Sequence, residues 1–114
     1  MTRTYTPYNW IIVKLTPHDA AYEAHYRVLG SWSSGYLDVA AWKISSGIVD
    51  YQVDPTDPDL FELSQHSGSV YAVHVVRERV SSMIRTILSQ MQESTVTTIE
   101  HVPFNQFLQE FERP

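Results

Sequence analysis

"WIIVKL" (Trp10–Leu15) is an apolar run interrupted by a single charge, Lys14, and followed by Pro17. It is shorter than a signal-peptide core and far below the roughly 20 apolar residues of a membrane-spanning helix. It reads as a strand, with Ile11, Val13 and Leu15 on one face. The next segment supports that reading. In "AYEAHYRVL" (21–29), Tyr22, Ala24, Tyr26 and Val28 fall on one face and Glu23, His25 and Arg27 on the other. The link "TPHDA" (16–20) carries Pro and Asp and is expected to be a hairpin loop.

Working outward, "GSWSSGY" (30–36) has the composition of a turn-rich loop. "YLDVAAWKIS" (36–45) resumes an extended pattern with Trp42 and Ile44 facing alike, and "SSG" (45–47) interrupts it. "IVDYQV" (48–53) is a further strand with Val49, Tyr51 and Val53 together. "DPTDPD" (54–59) is a loop, because two prolines do not fit a central strand, and "LFELS" (60–64) is the returning strand. "SGS" (67–69) is turn chemistry, after which Tyr71, Val73 and Val75 alternate with Val70, Ala72 and His74. The period then changes. Val80, Met83, Ile84, Ile87, Leu88 and Met91 recur at helical spacing, which predicts an amphipathic helix of about four turns over about 80–92, with Ser81 or Ser82 to cap it. "TVTTIEHV" (95–102) reads as a last strand, and Pro103 opens a short helix (about 103–112) striped by Phe104, Phe107, Leu108 and Phe111. Strands followed by helices predict an α+β fold: one domain over 1–114, with an antiparallel sheet of five to six strands and the long helix on one face.

The formal net charge is −5, with Lys and Arg scattered and only Arg77 and Arg79 close together, which argues against nucleic-acid binding. Cysteine is absent, so disulfides and thiolate zinc sites are excluded and the cytoplasm is the expected compartment. The four glycines fit neither a dinucleotide-binding fingerprint nor a phosphate loop, and no cofactor is expected.

"QHSGSVYAVH" (65–74) poses the question of a Ser–His nucleophile. Ser67 or Ser69 with His66 or His74 would need a carboxylate such as Asp50, and the flanking residues do not form a G-x-S-x-G elbow. Turn chemistry accounts for the stretch, and no catalytic residue is assigned. The histidines at 18, 25, 66, 74 and 101 lack the spacing that aims two imidazoles at one metal. Asp54, Asp57 and Asp59 lack the pattern of a calcium loop, so no metal site is expected. The aromatics carry more. Trp32, Tyr36 and Trp42 flank one serine-rich region, and amphipathic rings of this kind anchor interfaces or line pockets, although they also fill cores.

The motifs "WSSGY" (32–36), "WKISSGI" (42–48) and "HSGSVY" (66–71), in that order, resemble small proteins carried on integron cassettes, prophages and related mobile elements. The resemblance covers about a third of the chain and implies an accessory role without assigning a reaction. Two expectations follow. The first is a non-enzymatic interaction module that binds a protein partner or itself, as a homodimer, through Trp32, Tyr36 and Trp42. The second is a small-molecule pocket between sheet and helix with polar contacts from His66, Ser67 and Tyr71. An inhibitor of a host or defence protein is a weaker extension of the first.

Overall fold

Trp10, Ile11, Ile12 and Val13 are all completely buried. Side chains alternate between the faces of a strand, so four buried neighbours mean that both faces are covered. The structure, a computed structural model, describes residues 2–34 and 39–114 and shows what the two covers are. In chain order its elements are β1 (Thr4–Tyr5), β2 (Asn9–Pro17), β3 (His25–Ser34), β4 (Val39–Ile44), β5 (Ile48–Asp54), β6 (Asp57–Gln65), β7 (Val70–His74), a 3-10 turn (Val75–Arg77), α1 (Ser82–Met91), β8 (Thr97–Val102) and α2 (Phe104–Glu110).

The strands form two sheets of four, ordered β4-β3-β2-β8 and β1-β7-β6-β5. All pairings are antiparallel except β1 with β7. The second sheet is the first cover. Its Ile48, Leu63, Tyr71 and Val73 pack against Trp10, Ile12 and Val28 to make the main core. Helix α1 is the second cover. Its Ile84, supported by Val80, Ile87, Leu88 and Met91, packs on Ile11, Val13, Leu29 and Ile99. Helix α2 brings Phe104 and Phe107 into the main core, where Phe104 lies edge-on to Trp10 at 5.1 Å and to Phe61 at 4.8 Å. Pro103 has no N–H, and the first free donor of α2, Phe104 N, is satisfied by Glu78 Oε2 at 2.8 Å.

The α+β class agrees with the sequence, but the single sheet of five to six strands is replaced by two sheets. Helix α1 is ten residues long, shorter than 80–92, because Ser81 caps it: its Oγ accepts from Ile84 N at 3.3 Å. Strand β3 starts at His25 rather than at residue 21, and Tyr22 stays exposed in the preceding loop. It then continues through "GSWSS", which composition had marked as loop. Gly30 serves close approach here, not a turn: a Cβ at this position would come within 2.9 Å of the Pro7 Cβ. Strand β5 shifts register between Ile48 and Asp50, so Ile48 and Tyr51 both reach the core while Val49 is exposed. The loop at "DPTDPD" tightens to Pro55 and Thr56, with Asp57 already in β6. Asp54 Oδ1 accepts from Thr56 N, Thr56 Oγ1 and Asp57 N, and these bonds hold its carboxyl below the usual range. No described helix is long and apolar enough to cross a membrane.

The fit at Gly30 is testable. Gly30→Ala is expected to destabilise the protein by about 1–3 kcal/mol, the usual cost of overpacking. Urea denaturation measures it, and an unchanged midpoint would show that Pro7 yields freely.

Candidate functional site

The chain passes between sheets through Ser45-Ser46-Gly47, and β6 turns into β7 through His66-Ser67-Gly68-Ser69. Gly47 and Gly68 hold φ of 134° and 92°, a region that other residues enter only with strain. The two turns are joined to each other. His66 N donates to Gly47 O at 2.7 Å, Ser67 N to Ser46 Oγ at 3.0 Å, and Gly47 N to Gln65 Oε1 at 3.3 Å. Gln65 is buried, and its amide also donates to Leu63 O at 2.8 Å, which fixes its orientation. The repeated serine–glycine stretches therefore hold two turns side by side where the sheets meet. Strand β1 joins them there, because Val70 N donates to Arg3 O at 2.8 Å.

These segments border a cavity of about 300 Å³. Arg3, Arg27 and Lys43 line it. So do Ser45, Ser46, Ser67 and Ser69, together with Tyr5, Ile44 and Tyr71. No described Asp or Glu lines it, although acidic residues outnumber basic ones 13 to 8 in the chain. Arg3 donates to Tyr5 Oη at 3.4 Å, and the Lys43 ammonium lies 4.7 Å from the Tyr5 ring centroid. The hydrogen bond from Arg3, with Lys43 close by, holds the Tyr5 hydroxyl below the ordinary phenol range, a sign of positive potential. Arg27 Nε donates to His25 Nε2 at 3.0 Å, which requires the imidazole tautomer protonated at Nδ1.

Tyr71 is 1% exposed and stacks on Tyr5 at 5.1 Å between ring centroids. Its hydroxyl is buried and has no hydrogen-bond partner among the described residues. Burial pushes its pKa up to about 12, so it stays a neutral O–H donor at physiological pH. A cavity lined by three cations and by serine hydroxyls is suited to a negatively charged group.

Of the residues singled out in the sequence, Ser67, Ser69 and Tyr71 come together here. His66 is exposed and does not line the cavity; its backbone N–H makes the bond to Gly47. Trp32 is half-buried against the main core and its indole N–H donates to Thr6 O at 2.9 Å. Trp42 is 45% exposed. Trp32 lies opposite Ala41 and Trp42 opposite Ser31, so the two indoles project from opposite faces of their sheet and make no joint surface. Tyr36 lies outside the described residues. No group of three or more His, Asp or Glu that could hold a metal is found among the described residues.

A larger groove of about 440 Å³ is lined by Tyr8, Trp32, Val76 and Arg77 among others, but its one Arg or Lys, Arg77, is already stacked 4.3 Å from the Tyr8 ring centroid. Arg3, Tyr5, Arg27, Lys43, Ser45 and Ser46 join the site without having been singled out in the sequence. Its only trace was the echo of "SSG" at 45–47 and "SGS" at 67–69, the two turns that abut.

Tyr71→Phe removes the uncommitted hydroxyl and is expected to stabilise the ligand-free protein by about 1 kcal/mol at neutral pH, the lower end of the cost of an unsatisfied buried polar group. The pH dependence has a definite sign. The folded pKa, about 12, lies above the unfolded value near 10, so stability is complete below pH 10 and falls as pH rises toward 12. Denaturation midpoints at pH 8 and pH 11 check both points, and Tyr71→Phe should lose less than the parent over that interval. No family model matches the chain, nor does any curated protein or solved structure.

Proposed function

We propose that the chain is a non-enzymatic binding module for a small anionic molecule held in the cavity where the two sheets meet. The observation that carries this reading is the gathering of Arg3, Arg27 and Lys43 around one cavity, with no described carboxylate on its wall, in a chain whose net charge is −5. Cations spread for solubility would be interspersed with the more numerous acids. An accessory role on a mobile element, in the cytoplasm, fits such a module: a cassette-borne binder of an anionic metabolite.

Thermal unfolding with and without inorganic phosphate, at ionic strength matched with chloride, tests the reading. A ligand that binds only the folded state adds about 2.7 kcal/mol at a hundredfold excess over Kd. The expected result is a rise in Tm that is lost in Arg3→Ala/Lys43→Ala. An equal rise in parent and variant would place the effect outside this cavity.

One observation favours a second reading, self-association. Trp42 is 45% exposed on β4, the terminal strand of its sheet, which among the described residues pairs with β3 alone. A ladder edge that no described strand covers, beside an exposed indole, is a pairing surface. A homodimer by light scattering that becomes monomeric in Trp42→Glu would support it; a monomeric parent would end it.

A further inference from the structure

We infer that the anionic group taken by this cavity is a phosphate monoester on a small, soluble organic molecule. The inference rests on the anion-binding reading above and goes further by naming the group. It starts from how many protons the wall can donate. Ser45 Oγ already accepts from Val28 N at 2.8 Å, and Ser46 Oγ accepts from Ser67 N at 3.0 Å. Each of these bonds occupies a lone pair and leaves the hydroxyl proton free. Ser67 Oγ and Ser69 Oγ are 2.9 Å apart, so one donates to the other and the second keeps its proton. Tyr5 Oη accepts from Arg3 at 3.4 Å and likewise keeps its own proton. Four hydroxyl protons are thus available without breaking a bond, before any donor from the three cations is counted.

A carboxylate offers about four acceptor sites on two oxygens and one negative charge. The four hydroxyls alone would fill it, and the cations would be left largely uncompensated. A phosphate monoester presents three strong acceptor oxygens and a charge of about −1.5 to −2 at pH 7, which matches both the donors and the cations. A sulfate ester has the same three oxygens but one charge. Size indicates the organic part. A four-oxygen ion fills roughly 60–90 Å³, two to three water volumes. The cavity is about 300 Å³, with Ile44 and the Tyr5 ring providing less polar wall.

The test is calorimetric titration of the full chain at pH 7.5 and constant ionic strength with four probes: phenyl phosphate, phenyl sulfate, benzoate and inorganic phosphate. Phenyl phosphate is expected to bind about tenfold tighter than phenyl sulfate or benzoate, the worth of one additional charge-assisted contact. It should also bind more tightly than inorganic phosphate. Ser67→Ala/Ser69→Ala, at exposed and half-buried turn positions whose hydroxyls bond to each other, should weaken phenyl phosphate more than benzoate while leaving the urea midpoint of the ligand-free protein within about 0.5 kcal/mol of the parent. Equal affinity for phenyl phosphate, phenyl sulfate and benzoate would overturn the phosphate assignment and leave anion binding standing. No binding of any probe would overturn anion binding itself. Binding to phosphatidylcholine vesicles containing phosphatidic acid, with none to phenyl phosphate, would overturn the soluble ligand in favour of a lipid headgroup.

Discussion

A strand that is apolar on both faces has no stable place at a surface. Strand β2 is such a strand from Trp10 to Val13, and the architecture is the answer to its burial. One face requires a partner sheet and the other requires a helix. With only a helix, Trp10 and Ile12 would face water; with only a second sheet, Ile11 and Val13 would. Burying a Val, Leu, Ile or Phe side chain is worth about 1.5–3 kcal/mol, so leaving either pair exposed would remove a large share of a typical domain's net stability.

The polar end of Trp10 ties the layers together. Its indole N–H donates to His74 O at 2.9 Å, at the end of β7 in the other sheet. Its own carbonyl accepts from Arg79 N at 3.1 Å, and Glu78 beside it caps α2. The end of β7 is thereby tied to the first sheet, and the segment between β7 and α1 is fastened at two points, to the first sheet and to α2. The C-terminal end of α2 is secured in a similar way. Tyr26 Oη donates to Glu110 Oε1 at 2.6 Å, and burial, with this bond to the carboxylate, raises the Tyr26 pKa while that of Glu110 is lowered. Arg113 reaches back to Asp50 at 3.2 Å and Tyr51 O at 2.7 Å.

Most of the elements were legible because period and turn chemistry are local properties. The switch from alternation to helical spacing near Val80 located α1, and the hairpins at Pro55 and Gly68 announced themselves by composition. What alternation does not encode is which strands share a sheet: the apolar faces of β3 and β7 look alike in sequence, yet they belong to opposite layers of one core. "GSWSS" misleads for a related reason. Its glycine answers to Pro7, more than twenty residues away, and not to its neighbours. The site was harder still. Its cations are contributed by residues 3, 27 and 43, each isolated in sequence, and only tertiary structure turns three scattered charges into one field. Nor does nearness in sequence show which way rings point: Trp32 and Trp42, ten positions apart, lie on opposite faces once the hairpin register is set.

The pairing of β1 with β7 has a consequence for the order of events in folding. Thr4 and Tyr5 pair with Val70 and Tyr71, more than sixty positions along the chain, across only two residue pairs. Loop-closure entropy makes so distant and brief a pairing a late step, after the hairpins β2–β3, β5–β6 and β6–β7 have formed. Arg3 and Tyr5 ride on that strand, so the cavity is complete only once the rest of the molecule is in place. An anion bound there would need the finished cavity and so would act after the rate-limiting barrier of folding. It would leave the rate of folding unchanged and slow unfolding, lengthening the lifetime of the native state by the factor 1 + [L]/Kd.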